Sequence, residues 1–298
     1  MKMDKLQPFL KWPGGKRQLL PEIRKYIPST YNTYYEPFVG AGAVLFDIKP
    51  EKAVINDINK ELINLYKVIM NVDKIDLLIN DLKKHENNST YYYQIREMDR
   101  KKEYDQLPDY IKASRFIYLN KTCFNGLYRV NSKGYFNVPF GRYKNPDYIN
   151  EEVLRAVHKY LNENKIEILN TDFELAVEGA QEGDFIYFDP PYDPISKTSS
   201  FTSYSKESFG KSEQLRLRDT FIRLYEKGCY VLLSNSNTEF INSIYEYPGV
   251  IIKNVDAARS INSKADKRGK IKEVLIIGDG RNIKRQRMEK DIREIQYT

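Results

Sequence analysis

Asp189-Pro190-Pro191-Tyr192 directly follows the apolar run Phe185-Ile186-Tyr187-Phe188, and this junction limits what the chain can be. Four residues of that kind read as a buried strand. A carboxylate at its end, two prolines without a backbone N–H and then an aromatic make a costly turn. They leave an acid and unpaired carbonyls beside a flat ring, which suits a planar partner bearing an amino group. Asp-Pro or Pro-Tyr alone would fit an ordinary bend, so the rest of the sequence must separate a site from a turn.

Two glycine-bearing stretches precede the tetrad. Pro13-Gly14-Gly15 marks a tight turn before a helix expected from about Lys16 to Tyr26, with Lys16 at its start. It lacks the spacing of a Walker phosphate loop. In the second stretch, Tyr34 and Tyr35 lead through Glu36-Pro37-Phe38-Val39 to Gly40-Ala41-Gly42, and Ala53-Val54-Ile55-Asn56-Asp57 then reads as a strand ending in an acid. Glycine lets a ligand approach the backbone, and an acid at this distance reaches a ribose diol. The third glycine of a dinucleotide fingerprint is absent, because Val44 follows Ala43. Adenosine without a pyrophosphate fits better, and S-adenosylmethionine is the common cofactor of that description.

Further along, apolar residues at Leu62, Leu65, Tyr66 and Ile69 form a helical stripe, and the pattern stays mainly helical to about residue 165. His158 reads as a side chain of the last of these helices and His85 as a surface residue. Within this region lies a segment rich in glycines, amides, aromatics and basic residues, from Asn120 to Lys144. Asn131-Ser132-Lys133-Gly134 reads as a hairpin turn between 127–130 and 135–138. A basic, amide-rich tip of this kind enters a DNA groove or remains a solvated loop. Strands are expected at 165–169, 230–234 and 271–277, a helix at 212–225 and a long polar loop at 196–210. The apolar strands suit a sheet covered on both faces.

The chain carries 48 basic and 41 acidic residues, net +7. Lys264, Lys267, Arg268, Lys270 and Lys272 lie close together, opposed by Asp266. A polyanionic partner is compatible with that distribution. Cys123 and Cys229 are the only two cysteines, and with His85 and His158 as the only histidines no metal site is expected. No apolar run approaches the roughly 20 residues of a membrane span, and a cytoplasmic protein is expected.

Adenine N6 is a poor nucleophile because its lone pair is conjugated into the ring. Acceptors at Asp189 and the Pro190 carbonyl would draw its hydrogens, and Tyr192 would stack on the base. Reaching a base in a duplex requires flipping it out. Cytosine-C5 chemistry needs a cysteine nucleophile beside proline, and neither cysteine has that neighbour. Cytosine-N4 methylation, which also attacks through an exocyclic amine, stays open, as does a non-catalytic DNA-binding protein.

Taken together, these motifs resemble the Dam-type DNA adenine-N6 methyltransferases, including the restriction-system methylases that act at GATC. The resemblance runs from about Pro8 to Ile277 in family order. It implies a Rossmann-like α/β fold with a mixed sheet, and a mainly helical DNA-recognition insertion containing a β-hairpin. The implied division is 1–59 and 166–280 for the catalytic domain, 60–165 for target recognition and 281–298 for a basic helix or tail. Phe9-Leu10-Lys11-Trp12-Pro13-Gly14-Gly15-Lys16 looks like one cofactor motif, and the stretch holding Phe38, Gly40 and Gly42 like another. The resemblance places Trp12, Lys16 and Asp57 against the methionine or ribose parts of S-adenosylmethionine. It places Asp172 and Phe173 near the cofactor's adenine, and Asp189 between cofactor and target base in the catalytic tetrad Asp189, Pro190, Pro191 and Tyr192. In the hairpin it implies Arg129 for a guanine and Pro139 and Asn125 for further site contacts. Asn131, Lys133 and Arg142 are the remaining hairpin candidates for DNA binding, while Arg259, Ser260, Asn262, Lys267 and Arg268 resemble a phosphate-contacting loop. Double-stranded DNA is the implied partner, and no obligate protein partner is expected.

Overall fold

The computed structural model describes residues 5–12, 16–195, 209–258, 270–281 and 283. Among these, β1 (Tyr34–Glu36), β2 (Lys52–Asn56), β3 (Lys165–Leu169), β4 (Phe185–Phe188), β5 (Tyr230–Ser236), β6 (Val250–Ala258) and β7 (Lys270–Asp279) form one sheet in the order β3-β2-β1-β4-β5-β7-β6. The pairs from β3 to β5 are parallel, and β7 runs antiparallel to both β5 and β6. Strand order reverses between β1 and β4, which opens a crevice beyond their carboxyl ends. Both the glycine loop and the Asp-Pro-Pro-Tyr tetrad leave the sheet there.

Parallel strands need crossovers, and helices provide them. In chain order the helices are α1 (Leu20–Ile23), which precedes the sheet, and between its strands α2 (Leu45–Ile48), α3 (Lys60–Met70), α4 (Ile75–Leu82), α5 (Ser89–Arg96), α6 (Asp109–Thr122), α7 (Glu151–Glu163), α8 (Phe173–Ala176), α9 (Lys211–Lys227) and α10 (Glu239–Ile244). Asn59 starts α3 by accepting from the Glu61 and Leu62 amides, the usual way to satisfy first-turn donors. The expected stripe of Leu62, Leu65, Tyr66 and Ile69 is buried.

Side chains alternate along the strands between two cores. Tyr34, Ala53, Ile55, Phe185 and Tyr187 face one, with Phe9, Leu10 and the buried faces of α3, α6 and α7. Tyr35, Ile186, Phe188, Val231 and Leu233 face the other, with α9 and α10. The helices between β2 and β3 therefore share a core with the sheet.

Several expectations are corrected. The helix expected over 16–26 is broken into a 3-10 turn at Lys16–Gln18, the four-residue α1 and a second 3-10 turn at Arg24–Tyr26. Pro21 supplies no N–H to extend it backwards. The hairpin turn expected at 131–134 is present, but the runs on either side pair through isolated antiparallel bridges rather than a continuous ladder. The bridges are Val130 to Phe136 and, further out, Cys123 to Phe140, with the turn closed by the Gly134 amide donating to Asn131. His85 is not a surface residue. Its ring stacks on Tyr118 at 4.4 Å, Nδ1 meets the Tyr91 hydroxyl and Nε2 meets Ser114 Oγ, both at 2.9 Å. Burial lowers its pKa to about 4. His158 lies on α7 as expected, with Nδ1 2.6 Å from the Ile69 carbonyl oxygen. No described helix is long and apolar enough to cross a membrane.

The Tyr245 hydroxyl is buried without a hydrogen-bond partner among the described residues, while its ring packs edge-on against Phe221 at 5.4 Å. An unsatisfied buried hydroxyl costs stability. Tyr245→Phe should therefore be neutral or raise unfolding free energy by up to about 1 kcal/mol in urea denaturation. A clear loss would show that the hydroxyl is bonded after all.

Candidate active site

Three strand ends deliver acids to the crevice: Asp57 after β2, Asp172 just beyond β3 and Asp189 after β4. Asn56, 1% exposed at the end of β2, ties the first two of these strand ends together and to the glycine loop. Its Nδ2 donates to the Pro37 and Thr171 carbonyls at 3.0 Å, and its Oδ1 accepts from the Thr171 amide at 2.9 Å. The glycine loop is held in turn by Asp57, which accepts from the Gly40 amide at 3.1 Å and the Asn59 amide at 2.9 Å. Burial raises Asp57 to about 6, against the pull of those two amides. The Tyr66 hydroxyl donates to the Gly40 carbonyl at 3.0 Å.

Gly40 and Gly42 take φ of +50° and +73°. A Cβ on Gly40 would stand 2.8 Å from Trp12 Cδ1, and one on Gly42 2.7 Å from Phe46 Cε2. Only glycine fits either position. Beyond the loop, Phe38 stacks on Phe173 at 5.5 Å, with Phe209 5.7 Å from Phe38. Asp172 caps α8 through the Glu174 amide and meets the Arg216 guanidinium at 2.5 Å. That guanidinium also lies 4.5 Å from the Phe173 ring centre.

At the tetrad, Asp189 Oδ1 takes both the Lys16 ammonium at 2.8 Å and the Ser234 hydroxyl at 3.1 Å. Because Ser234 donates to Asp189, the Tyr187 hydroxyl 3.0 Å away donates to Ser234. Among the described residues these bonds fall on Oδ1, so Oδ2 is the oxygen available to an incoming donor. Burial pushes the Asp189 carboxyl above the usual carboxylate range, while Lys16 and Ser234 pull it back. Burial works against the Lys16 charge, but Asp189, with Tyr187 and Glu273 nearby, more than offsets it and keeps its pKa above normal. The Lys16 ammonium also lies 4.4 Å from the Tyr192 ring centre, a favourable cation–π distance. The Tyr192 hydroxyl donates to Glu273 on β7 at 2.8 Å.

A polar network below the tetrad escapes a reading by motif. Gln214 on α9 donates to the Pro191 carbonyl at 2.9 Å and accepts from Asn235 at 3.1 Å. Asn235 accepts the Asp193 amide at 3.0 Å, and Ser236 donates to the Asp193 carbonyl at 2.5 Å. Gln214, Ser234, Asn235 and Ser236 are all buried. Three polar residues closing the apolar strand from Tyr230 were the available signal, since buried polar groups are kept where they are bonded. Pro191 is thus engaged, whereas among the described residues no group donates to the Pro190 carbonyl.

The sequence-selected DNA residues divide. Asn125 and Arg142 are exposed with φ of +55°. Arg129 is exposed, its Nε donating to Asn137 Oδ1 at 2.8 Å. Asn131 shapes the tip by accepting from the Lys133 and Tyr135 amides at 3.0 Å, and Lys133 and Pro139 are exposed. Arg259, Ser260, Asn262, Lys267 and Arg268 lie outside the described residues, as do Pro13, Gly14, Gly15 and most of the 196–210 loop and the C-terminal tail. No group of three or more His, Cys, Asp or Glu among the described residues is placed to hold a metal.

Residues 12–261 match the family described as D12 class N6 adenine-specific DNA methyltransferase. The chain is 47% identical over 277 residues to the type II methyltransferase M1.LlaDCHI of Lactococcus lactis subsp. cremoris, an alignment covering 92% of this chain and 96% of that one. It is 44% identical over 282 residues to the type II methyltransferase M.MjaIII of Methanocaldococcus jannaschii, covering 88% and 95%. With the DNA adenine methylase of Escherichia coli K12 it shares 35% over 278 residues, covering 92% and 96%. An adenine-specific family sets aside the cytosine-N4 reading. On a match spanning most of its length, this chain belongs to the D12 class of N6-adenine-specific DNA methyltransferases and transfers a methyl group from S-adenosylmethionine to adenine N6 at specific sites in DNA.

Proposed function

We propose that the chain methylates a flipped-out adenine in duplex GATC, with Asp189, Pro190, Pro191 and Tyr192 as the base pocket. The observation that carries this reading is the Asp189 carboxylate, fixed on Oδ1 by Lys16 and Ser234 beside the Tyr192 ring. Asp189 Oδ2 and the Pro190 carbonyl accept the N6 hydrogens, and Tyr192, tied to Glu273, stacks on the base. As the nitrogen gains a substituent it becomes acidic, and the half-buried Asp189 is placed to take the proton.

The crevice is assigned to S-adenosylmethionine. The loop is bare backbone at Gly40 and Gly42, with Asp57 for the ribose hydroxyls, Phe38, Phe173 and Asp172 for the adenine, and Trp12, Lys16 and Asp189 for the amino-acid end. The cofactor supplies the electrophilic methyl group. Residues 60–165 serve as the target-recognition part, with Arg129 reading a guanine and Pro139 and Asn125 alongside it. Asn131 orders the tip that carries Lys133, and Arg142 borders it. The basic stretch with Arg259, Ser260, Asn262, Lys267 and Arg268 is assigned to phosphates. We place the enzyme in the cytoplasm, acting without an obligate protein partner; Cys123 and Cys229 are buried and free.

Methyl transfer to a mixed-sequence duplex, followed by nucleoside analysis and mapping, tests the target. N6-methyladenine spread over other sequences would overturn GATC and leave the chemistry. A second test uses Asp57. Its raised pKa means that folding favours the protonated acid, so its contribution to stability is fullest below about pH 4 and is lost as pH rises through about 6. Cofactor binding needs the carboxylate and should run the other way, strengthening as pH rises through about 6. Calorimetric titration with S-adenosylhomocysteine would show this step, and Asp57→Asn should remove it. A step that survives the substitution would assign the titration to another group.

A further inference from the structure

The dipeptide Lys11-Trp12 is held from two sides. Trp12 packs against the glycine loop, 2.8 Å from where a Gly40 Cβ would stand. The same indole stacks on Tyr128 at 5.7 Å and 25°, with Phe116 at 6.3 Å. Tyr128 is 9% exposed and directly precedes Arg129.

The backbone of Lys11 is clamped by Asn120, which is 2% exposed. Its Oδ1 accepts the Lys11 amide at 2.9 Å, and its Nδ2 donates to the Lys11 carbonyl at 2.7 Å and the Gly126 carbonyl at 3.3 Å. Gly126, at φ +62°, packs so closely that a Cβ there would lie 2.4 Å from Lys11 Cβ. A displacement of the indole by anything seated on the glycine loop would press on Tyr128, with Phe116 beside it, and pull on the Asn120 clamp. Both lead to Arg129.

We propose that Tyr128 and Asn120 are positioning residues that make guanine reading by Arg129 depend on a filled cofactor pocket. The proposal rests on the pocket and Arg129 assignments made above. Binding at two sites joined in this way is reciprocal, so target DNA must tighten the pocket by the factor by which the pocket ligand tightens target DNA.

The test uses the full chain with S-adenosylhomocysteine, which cannot donate a methyl group. Its affinity is measured by equilibrium dialysis alone, with a GATC duplex and with a scrambled duplex. Trp12 is the only tryptophan in the chain, so its emission reports the same site independently. The wild type should bind about five-fold or more tightly with the GATC duplex, and show no such gain with the scrambled one. Tyr128→Phe keeps the ring and should keep that factor. Tyr128→Leu and Asn120→Ala should bring it below about two-fold while each ligand still binds alone. Equal wild-type affinities with and without GATC DNA, or an undiminished factor in Tyr128→Leu, would overturn the proposal. So would a general weakening of both ligands with the factor intact, the result of a merely structural role. Failure of the wild type to bind S-adenosylhomocysteine at all would sink the pocket assignment instead, and the proposal with it.

Discussion

Asp189→Ala is expected to lower methyl transfer by about 10³-fold or more while leaving binding to GATC duplex largely intact. The acid does more than fill a turn. Lys16 and Ser234 hold its Oδ1, Tyr187 supports Ser234, and the remaining oxygen is directed without reorganisation. Preorganised acceptors of this kind act most strongly where charge develops during reaction. The substitution also takes the carboxylate from the Lys16 ammonium, which is 6% exposed, and breaking a buried pair from one side is destabilising by about 3–5 kcal/mol. Single-turnover rates should therefore be compared at a temperature where circular dichroism shows both proteins folded. Near-normal turnover would remove Asp189 from catalysis, and loss of DNA binding with the fold retained would show that the acid shapes the DNA surface.

Arg129→Ala should weaken discrimination at one base pair by about 1–3 kcal/mol, or roughly 5- to 150-fold. Its Nε donates to Asn137 Oδ1 at 2.8 Å and its Nη2 to the Asn137 carbonyl at 3.4 Å, which holds in one orientation a planar fork suited to bidentate recognition. Competition between duplexes altered at each position of the site would locate the loss. An equal loss for every sequence, with a shallower salt dependence, would make Arg129 a phosphate contact.

Much of the site was legible because its residues are local to strand ends. Asp57 and Asp189 follow short apolar runs, and the positive-φ glycines stand in a fixed motif, so sequence spacing carried the geometry. What was missed depends on pairing across the fold. Glu273 reaches Tyr192 only because β7 is antiparallel, which brings the start of that strand to the catalytic edge. Gln214 looks like one polar residue of a helix until its burial under Pro191 is seen. The edge strand β6 and the short α10 carry little signal of their own. His85 was misread because its burial comes from Tyr91, Ser114 and Tyr118, all distant in sequence. The N-terminal helix is broken for a local reason, Pro21 near its start.

The common core of sheet and insertion bears on how such an enzyme acquires a new target. Transplanting residues 60–165 as a module would take Tyr66 from the Gly40 carbonyl, Asn120 from Lys11 and Tyr128 from Trp12. The graft would thus loosen Gly40, Lys11 and Trp12, which the proposed reading places at the cofactor, along with the target-reading part it was meant to change. The exposed rim at Arg129, Lys133, Pro139 and Arg142 sits on that frame without being part of its core. On the proposed assignment of these residues to DNA, new specificities are more accessible to this architecture by substitution along the rim than by recombination of whole segments.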